Sequence, residues 1–210
     1  MRALLHRSNQ LLDTELGAAP RVFLAGAALL LVSIYFFPLW NLTMFAPQYP
    51  DGLRLDIYAF KLEGGNAGQD IREINVLNHY IGMKDLTQSD FTEFKWMPFV
   101  IGILALLFLR AAVMGRMAHL VDAFVIYMYF AAFSLGSFAY KLYRYGHDLA
   151  PTAAVKVKGF TPPIFGHRHI ANFDIYSYPK PATYMLTLAA AALFVAIAFG
   201  WRQRNREASV

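Results

Sequence analysis

Imidazole and thioether are the side chains in this sequence with the most chemistry to offer. Of six histidines, His79, His147, His167 and His169 fall in polar stretches, as do Met44 and Met83. His79 and Met83 are four residues apart in a segment, 71–83, with helical periodicity. On its wheel Ile74, Leu77 and Ile81 form one stripe, and Arg72, Asn75, His79 and Met83 gather opposite. An imidazole and a thioether on one helix face, in a chain without cysteine, suit Cu(I) in an oxidising compartment. Soft sulfur selects Cu(I), and imidazole tolerates both copper states. The plainer alternative is that a loop histidine is an ordinary hydrogen-bonding group and a methionine is packing.

Two other patterns put imidazoles where a metal could use them. His167-Arg168-His169 directs both rings to the same side of a strand, although Arg168 is a poor neighbour for a cation. Gly146-His147-Asp148 sets a carboxylate beside an imidazole, the kind of partner that orients metal-binding histidines; alternatively Asp148 caps a turn. The candidate metal ligands are thus His79, Met83 and His147, with His167 and His169 as a second set.

Four long apolar runs must position these residues. They read Arg21 to Trp40, Met97 to Val113, His119 to Tyr140 and Thr183 to Trp201. A helix rises about 1.5 Å per residue, so about 20 residues match a hydrocarbon core of about 30 Å, where backbone groups must bond within the helix. The expectation is a mainly α membrane protein with four transmembrane helices. Its segments are an amphipathic cytoplasmic stretch over 1–20, spans over 21–40, 97–114, 119–140 and 183–201, a cytoplasmic turn over 115–118, and a tail over 202–210. The first run is long and lacks a small-residue cleavage pattern after Trp40, so it reads as an uncleaved anchor.

Two polar stretches, 41–96 and 141–182, are too long to be turns and are expected to build one small mixed α/β cap outside the membrane. In the first, Pro50-Asp51-Gly52 between two β-favouring runs, 41–49 and 53–62, reads as a hairpin turn. In the second, Val155 to Lys158 and Ile170 to Tyr178 are β-favouring. Arg2, Arg7, Arg21, Arg110, Arg116, Arg202, Arg204 and Arg206 flank the runs on one side, which makes that side cytoplasmic by the positive-inside rule and puts both termini inside; Lys141, Arg144, Lys156, Lys158, Arg168 and Lys180 act against that asymmetry.

Composition agrees with a bilayer-embedded chain: 57% of its 210 residues are hydrophobic and 16% charged. The absence of cysteine excludes disulfides, thiolate zinc sites, iron–sulfur clusters held by this chain and c-type haem attachment. The net charge of +5 suits flanks beside anionic lipid, and no soluble basic face for nucleic acid is present. Asp122 is the charge inside the runs, expected to pair with Arg110 near the cytoplasmic face. There is no carboxylate or histidine chain across the membrane for a proton relay, no nucleophile elbow, no phosphate loop and no H-E-x-x-H. Nothing argues for an enzyme working alone.

Three segments carry a resemblance. Ala46-Pro47-Gln48-Tyr49-Pro50-Asp51-Gly52-Leu53, Leu77-Asn78-His79-Tyr80-Ile81-Gly82-Met83 and Tyr145-Gly146-His147-Asp148-Leu149, with Pro151, Pro162-Pro163 and Asn172-Phe173, resemble a family of small bacterial membrane proteins associated with nitrous-oxide reductase maturation and copper-delivery gene sets. The resemblance implies a periplasmic-facing accessory protein of the inner membrane that assists copper supply or assembly of a copper enzyme. It places His79, Met83 and His147 in the shared pattern, leaves out His167 and His169, and makes a copper enzyme or its maturation factors the expected protein partner. A different reading is a non-catalytic subunit of a membrane redox or copper monooxygenase complex, with Phe124, Tyr127, Phe130, Phe133 and Phe138 facing the partner. A small-solute permease fits least, because broken helices and polar lining are missing.

Overall fold

The computed structural model describes residues 12–170 and 172–207. The helices are α1 (Ala18–Ser33), α2 (Gln69–Ile81), α3 (Glu93–Met114), α4 (Met117–His147) and α5 (Pro181–Glu207). The strands are β1 (Trp40–Ala46), β2 (Tyr49–Ile57), β3 (Leu62–Gly64), β4 (Gly166–Ile170) and β5 (Phe173–Pro179). Among the described residues four helices are long and apolar enough to span a membrane, over Ala18–Phe36, Glu93–Met114, Met117–His147 and Pro181–Asn205. The chain is mostly helical, with one small antiparallel sheet.

Two compact units emerge. The first takes in residues up to 34, 99–132 and from 184 onward; the second takes in 35–98 and 133–183. In the first unit, buried side chains repeat at helical spacing: Leu24, Ala27, Ala28 and Leu31 on α1, Ile101, Leu104, Ala105 and Phe108 on α3, and Ala189, Leu193 and Ala196 on α5. The many alanines let helix backbones come close, as in packing that does not rely on water. Tyr127 on α4 is buried, meets Phe108 edge-on at 5.6 Å and donates its hydroxyl to the Leu186 carbonyl at 2.7 Å. Tyr127 and Phe130 are therefore interior residues, whereas Phe133 is exposed. The expected aromatic partner face on this helix is split by packing within the chain.

Helix bounds differ from the apolar runs for local reasons. α1 ends at Ser33 and a 3₁₀ turn, Ile34–Phe36, follows, because Pro38 offers no N–H and biases Phe37 away from helix. Trp40 accordingly opens β1 instead of closing a span. α4 runs on to His147, so the second polar stretch starts about two turns of helix later than its composition indicates. Asp122 and Arg110 are both exposed, and among the described residues no ion pair joins them, contrary to expectation. Residues 1–11 of the expected amphipathic stretch lie outside the described ones. Its described part pairs with the connection between α3 and α4, through Leu16 N–H to Gly115 O at 2.7 Å and Met117 N–H to Thr14 O at 3.0 Å.

In the second unit both polar stretches contribute to a single sheet of order β3-β2-β1-β5-β4. Ala46 pairs with Tyr49, so the hairpin turns at Pro47-Gln48 and not at Pro50-Asp51-Gly52. Met44 pairs with Leu53, and Pro50-Asp51-Gly52 forms a bulge within β2. Proline without an N–H and a glycine at φ +80° fit a break in the ladder as well as they fit a turn. Val155 to Lys158 joins no strand. Backbone bonds from Val155 to the Tyr80 carbonyl and from Phe160 to the Gly146 carbonyl tie this region to helix ends, and Val157 and Phe160 pack against the core.

Strand alternation gives the sheet two unlike faces. Ala46, Leu53, Leu55, Leu62, Phe173 and Ile175 form a core with Ile74, Leu77 and Ile81 of α2. Ser177, fully buried, accepts the Trp40 indole N–H at 2.8 Å and donates to the Ile164 carbonyl at 2.9 Å, which joins β1, β5 and the segment before β4.

Candidate functional site

The other face of the sheet is polar and aromatic. Asn41, Thr43 and Phe45 of β1 lie beside Arg54 and Asp56 of β2 and Asp174, Tyr176 and Tyr178 of β5. Thr43 donates to Asn41 Oδ1 at 2.8 Å and Asn41 Nδ2 donates to Asp56 Oδ1 at 2.8 Å. Arg54 completes the chain with an ion pair to Asp56 at 3.2 Å. The buried Asn41 and Asp56 are thus paired, as buried polar groups must be.

At one side of this face β4 adds His167 and His169, in register with Tyr176 and Asp174. His167 Nε2 and His169 Nδ1 lie 2.8 and 2.9 Å from the same oxygen, Asp174 Oδ1, and His167 stacks on Tyr176 at 4.5 Å between ring centres. The expectation that both rings share one side of a strand is met. An ionised carboxylate only accepts, so each ring donates toward it, leaving His167 Nδ1 and His169 Nε2 with free lone pairs when the rings are neutral. Hydrogen bonds from His169 and then His167 hold the Asp174 carboxyl below the usual carboxylate range. Asp174 drew no notice in the sequence because its relation to the histidines comes from hairpin register.

The remaining candidates are placed apart from this pair. α2 ends at Ile81, and Gly82 at φ +81° reverses the chain, with Met83 N–H on the Asn78 carbonyl at 2.8 Å and Gly82 N–H on the His79 carbonyl at 3.2 Å. Met83 therefore lies beyond the helix and packs against the apolar core, while His79 is exposed. The i, i+4 imidazole–thioether face is not formed. His147 closes α4, its Nδ1 2.9 Å from the Tyr143 carbonyl oxygen and its ring stacked on Tyr143 at 3.9 Å. Asp148 does not orient it. That carboxylate takes Lys84 Nζ at 2.7 Å and Arg144 Nη2 at 2.9 Å, and these two cations, Lys84 first, pull its pKa down.

The neighbouring Gly146 has a packing role that its motif concealed. A Cβ there would sit 1.8 Å from the Phe160 carbonyl oxygen, so only glycine lets this backbone approach.

Comparison with models of protein families, with curated proteins and with solved structures finds no match. The resemblance to the copper-delivery family thus rests on the segments quoted above. Tested on side chains, the fit to copper divides. The thioether half of the Cu(I) donor set, Met83, is half-buried against the core, and among the described residues no group of three or more His, Asp or Glu is placed to hold a metal. The imidazole half is present on the surface at His167 and His169, oriented by a shared carboxylate.

Proposed function

We propose that this chain is a multi-pass protein of the bacterial inner membrane, with both termini cytoplasmic and the sheet unit in the periplasm, serving as a non-catalytic accessory in copper handling or in assembly of a copper enzyme. The observation that carries the membrane part is the surface of the long helices. Val22, Leu106, Val113 and Phe194 are 65–77% exposed, a pattern water disfavours and lipid accepts. The accessory part is supported by four surface histidines, His79, His147, His167 and His169, gathered in the one unit with a sheet. Imidazole supplied without thiolate suits copper, and the carboxylate between His167 and His169 is the sort of partner that fixes ring orientation.

The test is copper content and Cu(I) competition affinity of the detergent-purified chain, beside His167→Ala/His169→Ala and His79→Ala/Met83→Ala. Copper in the wild type, reduced at least tenfold in affinity by the first pair and little changed by the second, is the expected result. Loss through the second pair would return the site to the α2 end. No copper in any form would remove the copper role. Co-purification with a partner at fixed stoichiometry would then make the chain a structural subunit.

A further inference from the structure

The strand register sorts the ends of the sheet. Trp40 pairs with both Ile57 and Pro179, Ile57 with Leu62, and Ser177 with Gly166. One rim of the sheet therefore holds the start of β1, the β2–β3 turn, the start of β4 and the end of β5. Around it Phe36, Phe37, Phe60, Ile164, Phe165 and Tyr178 are exposed, Phe36 and Phe165 by 73% and 67%. The opposite rim, at the β1–β2 turn, the segment after β3 and the β4–β5 turn, exposes Gln48, Asp51, Asn66 and Asn172. Apolar and polar residues thus segregate along the strands, in addition to the difference between faces.

The aromatic rim is also where the chain leaves for its two adjoining apolar helices. Three residues separate Phe36 from Trp40, and Lys180 alone separates β5 from α5. At about 3.5 Å of reach per residue, the rim lies within about 14 Å of the end of one apolar segment and about 7 Å of the start of another. Lys61 places its ammonium 4.7 Å from the centre of the Tyr58 ring and 5.8 Å from that of Phe60, while paired with Glu63 at 2.7 Å. Aromatic rings with a cationic side chain beside them are the composition favoured where acyl chains meet headgroups.

We propose that this rim is a membrane-binding surface, seated in the interfacial zone of the same bilayer that the long helices cross; it rests on the membrane reading above. The bilayer covers the rim, which fixes the strands with their polar turns pointing to water. Aromatic side chains at the junction anchor the sheet unit independently of the helices.

The chain has no cysteine, so single sites can be labelled without background. Phe60→Cys and Phe165→Cys on the aromatic rim, Gln48→Cys and Asn172→Cys on the polar rim, and Leu29→Cys and Leu106→Cys on α1 and α3 would each carry a nitroxide. The full chain goes into phosphatidylcholine/phosphatidylglycerol vesicles, with circular dichroism confirming fold, and collision with oxygen and with a water-soluble nickel chelate is measured. Expected at 60 and 165 is an oxygen-to-nickel ratio several-fold above that at 48 and 172, below or near that at 29 and 106. Water-like ratios at 60 and 165 with lipid-like ratios at 29 and 106 overturn this proposal alone. Water-like ratios at all six sites overturn the membrane reading and this proposal with it. Shielding of 60 and 165 from both reagents means protein covers the rim, and likewise overturns it.

Discussion

Asp174 shows how much one carboxylate does on this surface. It accepts from two imidazoles, and the second nitrogen of each ring is thereby left facing elsewhere. Its folded pKa lies below the ordinary value, so the folded chain holds this proton less tightly than the unfolded chain does. The stability it contributes is present above the unfolded value, about 3.9, and is lost as pH falls through the folded value. Asp174→Asn should unfold at lower denaturant than wild type at pH 6, and the gap should close in acid below about pH 4. Fluorescence-monitored unfolding in detergent at several pH values checks this. A gap independent of pH would show that the carboxylate's charge is irrelevant. None of this was legible in the sequence. His167 and His169 announce themselves by alternation, but Asp174 reaches them only through the pairing of β4 with β5.

At the scale of elements, legibility followed how local the cause was. The apolar runs and the α2 stripe of Ile74, Leu77 and Ile81 depend on composition and periodicity, and they reappear as helices with the stripe in the core. The end of α2 turned on one residue. Gly82 sits at φ +81°, and that capping glycine removed Met83 from the face it was counted on. Pro50-Asp51-Gly52 misled because the same residue types serve a bulge and a turn, and only the partner strand decides between them. Gly146 misled in another way, since its neighbours His147 and Asp148 drew the chemical reading while the glycine makes room for the Phe160 backbone. Gly146→Ala should force α4 and the Phe160 segment apart and break the Phe160 N–H to Gly146 O bond of 2.9 Å. A cost of about 1–3 kcal/mol is expected from an unpaired backbone group and the displaced packing. The check is the unfolding midpoint together with hydrogen exchange at the Phe160 amide; wild-type protection there would refute the close-approach role.

For the whole molecule, the proposed membrane topology turns on the distribution of its basic residues. The arginine pattern gives one answer, through Arg21, Arg116, Arg202 and Arg204, while Lys156, Lys158, Arg168 and Lys180 would favour the reverse if counted alone. The rule weighs short flanks near the spans most. The tight connection between α3 and α4 is such a flank: Gly115, at φ +62°, leaves Arg21 space beside it, and Arg21 Nε donates to the Leu16 carbonyl at 3.0 Å. Arg21 is therefore held in place beside the α3–α4 connection, whereas Lys156 and Lys158 are exposed in a part of the second unit that is neither helix nor strand. On this argument Gln48→Cys should react with a membrane-impermeant maleimide in intact spheroplasts, and Asn205→Cys should react only after permeabilisation. The opposite pattern would invert the protein and put the surface histidines in the reducing cytoplasm, where a Cu(I) accessory without thiolates has little purpose. Reaction of both sites in intact spheroplasts would instead require an even number of crossings between residues 48 and 205, so that one of α3, α4 and α5 stays out of the membrane.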